Sequence, residues 1–70
     1  MKGVQNVNMI TVEFTYKTKA NKWLYGEQYF DSVDKAIKFI RFVIPKSKDK
    51  VYMGFSCDDL EELEQMERRL

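Results

Sequence analysis

The sequence predicts an α+β fold: a three-stranded, antiparallel-type sheet of connectivity ββαβα and strand order 2-1-3, with two helices on one face. Two periodicities and one set of breakers carry the prediction. Apolar residues alternate strictly through Ile10, Val12, Phe14 and Tyr16, with Thr11, Glu13, Thr15 and Lys17 between them, the period of a half-buried strand. Val33, Ala36, Ile37, Ile40, Val43 and Ile44 recur at spacings of three and four, which makes one broad apolar helix face able to lie on a sheet. Turn-forming and helix-breaking residues separate these runs.

The elements follow in order. After the first strand, Lys19, Ala20, Asn21 and Lys22 supply a turn in which Asn tolerates a left-handed backbone. Residues Trp23 to Phe30 read as the second strand of a hairpin, with Gly26 expected to mark a bulge. That bulge leaves open whether Trp23 and Tyr25, or Leu24 and Tyr29, face the core. Asp31 or Ser32 caps the first helix, and Asp34 sits in its first turn where negative charge suits the dipole. Pro45 is expected to end it.

A basic loop over residues 46–50 leads to a third strand over residues 51–55, with Val51, Met53 and Phe55 on one side. Ser56 or Asp58 then opens the second helix, where Asp58 and Glu61 have capping-box spacing. Its apolar stripe is Leu60, Leu63, Met66 and Leu70. A right-handed crossover from the second strand brings the third beside the first, so the longest strand is central. The opposite face, with Thr11, Glu13, Thr15 and Lys17, is open to solvent or to a partner.

Seventy residues form one small domain, and a chain this short buries only about 60% of the surface that it exposes when unfolded. Self-association as a homodimer would relieve that shortage. The single cysteine, Cys57, cannot form an internal disulfide, so a reducing, cytoplasmic setting is expected. The N-terminal run MKGVQNVNMITV has no apolar leader segment, and the longest apolar run is Phe42, Val43 and Ile44. Neither secretion nor membrane insertion is indicated, since a spanning helix needs about 20 apolar residues.

The charge is lopsided. Residues 1–50 carry ten Lys and Arg against five acids, a net +5, and residues 51–70 carry six acids against two arginines, a net −4. Asp58, Asp59, Glu61, Glu62, Glu64 and Glu67 all fall on or before the second helix. Much of this suits the helix dipole, with acids first, Arg68 and Arg69 last, and Glu64 spaced to pair with Arg68. The functional reading is that the helix attracts a protein with a basic, normally DNA-binding surface, as a DNA mimic; Asp58, Asp59, Glu61, Glu62 and Glu64 are the candidate contacts.

Phe42 lies opposite the core face, beside Lys35 and Lys38, and with Leu70 is a candidate for the dimer contact or for packing between the helices. The alternative function is nucleic-acid binding. Lys17, Lys19, Lys22, Lys46, Lys48 and Lys50 supply cations, and Trp23 and Tyr25 supply rings for stacking. Glu13 opposes that reading because it repels phosphate.

Catalytic chemistry is poorly supplied. With no histidine in the chain there is no imidazole base, Ser-His or Cys-His pair, or His-metal site. The acids beside Cys57 disfavour a thiolate, so it reads as a structural thiol. The carboxylates lack the glycine and spacing of a calcium loop, and Gly3, Gly26 and Gly54 are too isolated to cradle a phosphate. No catalytic residue, metal site or cofactor is expected.

Lys, Ile, Asn, Phe and Tyr make 25 of the 70 residues, a bias expected of an AT-rich genome. In size, codon bias and want of catalytic groups, the chain resembles in general character the short phage-encoded proteins that inhibit host DNA-processing or DNA-packaging machinery. That resemblance implies a protein-binding inhibitor and carries no residue assignments.

Overall fold

The computed structural model describes residues 9–70; Gly3 and most of the N-terminal run read above lie outside them. Strands β1 (Ile10–Lys17), β2 (Trp23–Phe30) and β3 (Lys50–Cys57) form an antiparallel sheet of order β2-β1-β3. The alternation of β1 is realised in full. Ile10, Val12 and Phe14 are buried against the helices, and Thr11, Glu13, Thr15 and Lys17 occupy the other face. Asn21 adopts φ 61° in the hairpin turn, and the Thr18 N–H donates to the Lys22 carbonyl at 2.8 Å to close it.

Gly26 does not mark a bulge, because the β1–β2 register runs unbroken from Ile10↔Phe30 to Lys17↔Trp23. Gly26 sits opposite Phe14 on the covered face. A Cβ there would lie 3.0 Å from the Tyr16 ring and 3.2 Å from the Phe14 ring, so the missing side chain makes room for two aromatics. The unbroken register also assigns the faces: Leu24, Gln28 and Phe30 point to the helix side, and Trp23, Tyr25, Glu27 and Tyr29 to the open side.

The bulge falls on β3. Glu13 pairs with Gly54 and Phe14 with Tyr52, which leaves Met53 as the extra residue. Val51, Met53 and Phe55 therefore do not share a face. Tyr52, Phe55 and Cys57 pack on the core, whereas Val51 and Met53 are exposed. An extra residue reverses the phase of the pleat, so the alternation expected from the sequence holds only on one side of it.

The first helical run is continuous but not uniform. It consists of α1 (Val33–Lys38), a π-helical segment (Phe39–Val43) and α2 (Ile44–Lys46). Ser32 is the N-cap, its Oγ accepting from the Lys35 N–H at 3.2 Å. Pro45 does not itself end this run, which closes one residue later at Lys46; the proline occupies the first turn of α2, where its fixed φ is already helical. The Ile44 N–H donates to the Phe39 carbonyl five residues back, the wider π turn that lets the helix re-form around proline. The same widening changes the helical phase. Ile44 is buried, while Val43, expected on the core face, is exposed.

The last helix, α3 (Leu60–Arg69), is capped by Asp59, whose Oδ2 accepts from the Glu62 N–H at 3.1 Å. The cap thus lies one residue beyond the Asp58–Glu61 pairing expected from the sequence. Only Met66 of its apolar stripe is fully buried; Leu60 is 76% exposed. Helix α3 packs on α1 and β3, and the core unites Ile10, Val12 and Phe14 with Val33, Ala36, Ile37, Ile40, Ile44 and Met66. Phe39 reaches the rim of this core, its ring centre 5.2 Å from that of Phe30 in a tilted arrangement and 5.5 Å from that of Phe14, the latter in an edge-on geometry that aromatic quadrupoles favour.

Candidate functional site

The acids of the last helix divide into two groups. Asp59 and Glu62 are half-buried and engaged internally: Asp59 as the cap, Glu62 through its Oε1, 3.6 Å from the Cys57 thiol. Asp58, Glu61 and Glu64 are exposed, as is Glu67, and none is in an ion pair among the described residues. At about 100° per residue, Glu61 and Glu64 project opposite Met66. The expected Glu64–Arg68 pair is not formed. Arg68 stays in solvent and Arg69 turns instead to Asp34, consistent with the small gain an exposed i,i+4 pair offers.

Cys57 lies on the covered face opposite Ile10. Its Sγ is 3.5 Å from the Asp59 carbonyl and 3.6 Å from Glu62 Oε1. Burial pushes the thiol pKa upward, and the charges of Glu62 and Asp59 push the same way. The thiol stays protonated and weakly nucleophilic.

The six candidate lysines are brought to one end of the sheet. The registers align Lys17 with Trp23 and Tyr16 with Lys50. The Lys17 N–H donates to the Asp49 carbonyl at 2.8 Å, tying the hairpin end to the loop that carries Lys46 and Lys48. Lys19 and Lys22 are in the hairpin turn. Ile10, Phe30 and Cys57 mark the far end, and α3 begins there. Eight-residue strands separate the two ends by roughly 25 Å, about three Debye lengths at physiological salt. The lysine end and the first turns of α3 therefore act as independent electrostatic surfaces.

The face read as open to a partner carries a cluster that was not singled out from the sequence. On the open face Glu27 stands between Tyr25 and Tyr29, whose hydroxyls donate to its two carboxylate oxygens at 2.8 and 2.9 Å. Those bonds hold the Glu27 carboxyl below the usual range, push Tyr25 up to about 12 and raise Tyr29. Glu13 faces Glu27 directly across the strands. The period-two spacing of Tyr25, Glu27 and Tyr29 was visible in the sequence; the bulge expected at Gly26 concealed that they share a face.

Phe42 is 56% exposed and Leu70 48%, so neither dimer candidate is consumed by packing between the helices. No group of three or more His, Cys, Asp or Glu among the described residues is arranged to hold a metal ion. No helix among the described residues is long and apolar enough to cross a membrane. What these features define is a small ββαβα domain with separate acidic, basic and aromatic surfaces. Comparison of the chain with protein-family models, curated proteins and solved structures finds no match.

Proposed function

We propose that the protein is a non-enzymatic binding module, working in a reducing cytoplasm, whose acidic helix occupies a basic, DNA-binding surface of another protein in the manner of a short phage-type inhibitor. The observation that carries this reading is the row of exposed carboxylates, Asp58, Glu61, Glu64 and Glu67, with no internal cation beside them among the described residues. Successive members of the row within the helix are about 4.5 Å apart along its axis. That approaches the roughly 3.4 Å axial spacing of phosphates on one DNA strand. Asp59 and Glu62 contribute charge while their side chains serve the cap and the thiol. The exposed Phe42 and Leu70 support a homodimer, which would present the acidic row twice.

The test is charge reversal at Glu61 and Glu64, which have no structural partner. Wild-type protein immobilised as bait should capture a basic protein from a low-GC bacterial lysate and inhibit that protein's DNA binding in a salt-sensitive way. Glu61→Lys with Glu64→Lys should lose both effects while its circular dichroism stays unchanged. Undiminished capture and inhibition by the folded variant would reject the reading.

A second reading, nucleic-acid binding, is favoured by one observation: Lys17, Lys19, Lys22, Lys46, Lys48 and Lys50 gather at the sheet end where Trp23 and Tyr25 are exposed. Cations beside stacking platforms are what single strands bind. Gel shift of a labelled oligonucleotide at low salt separates the two readings, because retardation that falls when Lys19 and Lys22 become Ala supports this one alone.

A further inference from the structure

The face of the sheet turned away from the helices contributes nothing to the core, yet it carries Trp23, Tyr25, Tyr29 and Val51, each about half exposed. Small monomeric proteins rarely leave so many large side chains together in water. We propose that this open face binds an extended segment of a partner protein that presents an arginine, whose guanidinium bridges Glu13 and Glu27 between the rings of Tyr25 and Tyr29. The interaction is independent of α3.

Charge complementarity selects the occupant. Glu13 and Glu27 are directly opposed neighbours on adjacent strands, an arrangement that destabilises a sheet when both residues carry the same charge. Neither is in an ion pair among the described residues. Tyr25 and Tyr29 lean in from both sides to donate to Glu27, and the Tyr25 hydroxyl feels the charge of Glu13 as well. Each Glu27 oxygen keeps a lone pair after accepting one tyrosine. The result is a preset pair of anions framed by aromatic rings. A guanidinium satisfies both parts, because its planar fork donates to two carboxylates at once and its face stacks on tyrosine or tryptophan. An ammonium offers a point charge without the stacking plane.

Access is built in on the β3 side. Gly54 stands opposite Glu13, and a Cβ there would meet nothing within 4 Å. A gap therefore lies alongside the Glu13 side chain. The other obvious occupants fit less well. A second copy meeting through the same face would set two Glu13–Glu27 pairs against each other, and a nucleic acid would bring phosphates to the same carboxylates.

The test is an NMR titration of the folded protein with the blocked peptide Gly-Arg-Gly, with Gly-Lys-Gly and Gly-citrulline-Gly as controls. Saturable shifts are expected at Trp23, Tyr25, Tyr29 and Gly54, with the arginine peptide binding about tenfold tighter than the uncharged citrulline peptide and tighter than the lysine peptide. Glu13→Gln and Glu27→Gln should each weaken binding several-fold. Gly54→Leu, which fills the gap without a clash, should abolish it in a folded protein. Glu61→Lys with Glu64→Lys should leave it unchanged.

Several outcomes overturn the proposal: no saturation at about 10 mM peptide, equal binding of citrulline, or shifts confined to α3. Concentration-dependent shifts of the face in the free protein would identify a second copy as its occupant. Displacement of the peptide by oligo-dT would identify nucleic acid. Either result overturns it too.

Discussion

Arg69 and Asp34 are 35 residues apart in sequence, yet Arg69 Nη1 donates to Asp34 Oδ1 at 2.6 Å and joins the last turn of α3 to the first turn of α1. The Arg69 carbonyl also accepts from Arg41 Nη1 at 3.1 Å, so one residue ties the end of α3 at two points. Both partners of the ion pair are substantially exposed, and exposed pairs contribute about 0.2–1 kcal/mol. Arg69→Ala should therefore cost less than about 1 kcal/mol in urea denaturation. It should still speed amide exchange over residues 66–70, and 0.5 M salt should reproduce part of that effect. Exchange unchanged by either treatment would show that Met66 alone seats the helix.

Met66 is fully buried where α3 meets α1 and β3. Its neighbours in the apolar stripe add little, since Leu60 is solvated and Leu63 only half-buried. Truncating a buried Met to Ala costs about 2–5 kcal/mol, and a chain of this length has a total stability of about 4–10 kcal/mol. Met66→Ala should bring the urea midpoint down by a third or more and release α3 first. Leu60→Ala should change it by less than about 0.5 kcal/mol. Similar losses from the two substitutions would mean that Leu60 is covered in solution, as it would be in a homodimer.

Cys57 provides a chemical reading of the same junction. Its pKa is raised by burial first and by the Glu62 and Asp59 charges next. The thiolate is the reactive form, so at pH 8 the native protein should react with Ellman's reagent more slowly than the urea-unfolded chain. A folded pKa above the unfolded value of about 8.5 also means stability that is complete below that pH and declines as pH rises through the folded value. Glu62→Gln should bring the thiol pKa partway down and speed the native reaction. A native rate equal to the unfolded one would contradict the burial of this thiol.

Gly26 and Met53 together show how far local pattern carries. The ends of β1 and β2, the left-handed Asn21, a cap at Asp31 or Ser32 and the strand order are all legible, because each follows from an uninterrupted period or from one residue's own backbone preference. The errors arise where a single residue is inserted. Met53 in β3 and the π turn before Pro45 each shift the phase of everything beyond them, moving Phe55 away from the face of Val51 and Val43 away from that of Ile44. No residue type announces such an insertion, and a glycine in a strand invites placing it wrongly. In fact Gly26 answers to packing. Gly26→Ala should press on the Phe14 ring, which Phe39 holds in place. Overpacking costs about 1–3 kcal/mol, against roughly 0.5–1 kcal/mol regained from the lost backbone freedom of glycine. A net loss of about 1 kcal/mol is expected in urea denaturation; a gain would show that Tyr16 swings aside freely.

The acidic helix was legible as a run of charges. The tyrosine-framed pair of glutamates was not, since Glu13 and Glu27 become neighbours only through strand pairing. Its signature is a titration. Glu27, by accepting two hydroxyl hydrogen bonds, is displaced below its ordinary carboxyl value, whereas Tyr25 is displaced to about 12 and Tyr29 upward. The two displacements act at opposite ends of the pH scale. The depressed carboxyl contributes stability that is present above the unfolded value of about 4.3 and is lost as pH falls through the folded pKa. The raised phenol contributes stability that is complete below about pH 10 and is lost as pH rises from there toward 12. Absorbance at 295 nm should therefore show Tyr25 and Tyr29 ionising above the ordinary phenol value of about 10. Glu27→Gln should return Tyr25 toward 10, because both its largest hydrogen bond to a carboxylate and the adjacent charge are removed. Tyr25→Phe with Tyr29→Phe should raise the Glu27 pKa toward 4.3 in a carbon-13 titration. If Tyr25 titrates at 10 in the unmodified protein, the hydroxyls do not hold Glu27 in solution, and the preset pair of anions on the open face does not exist.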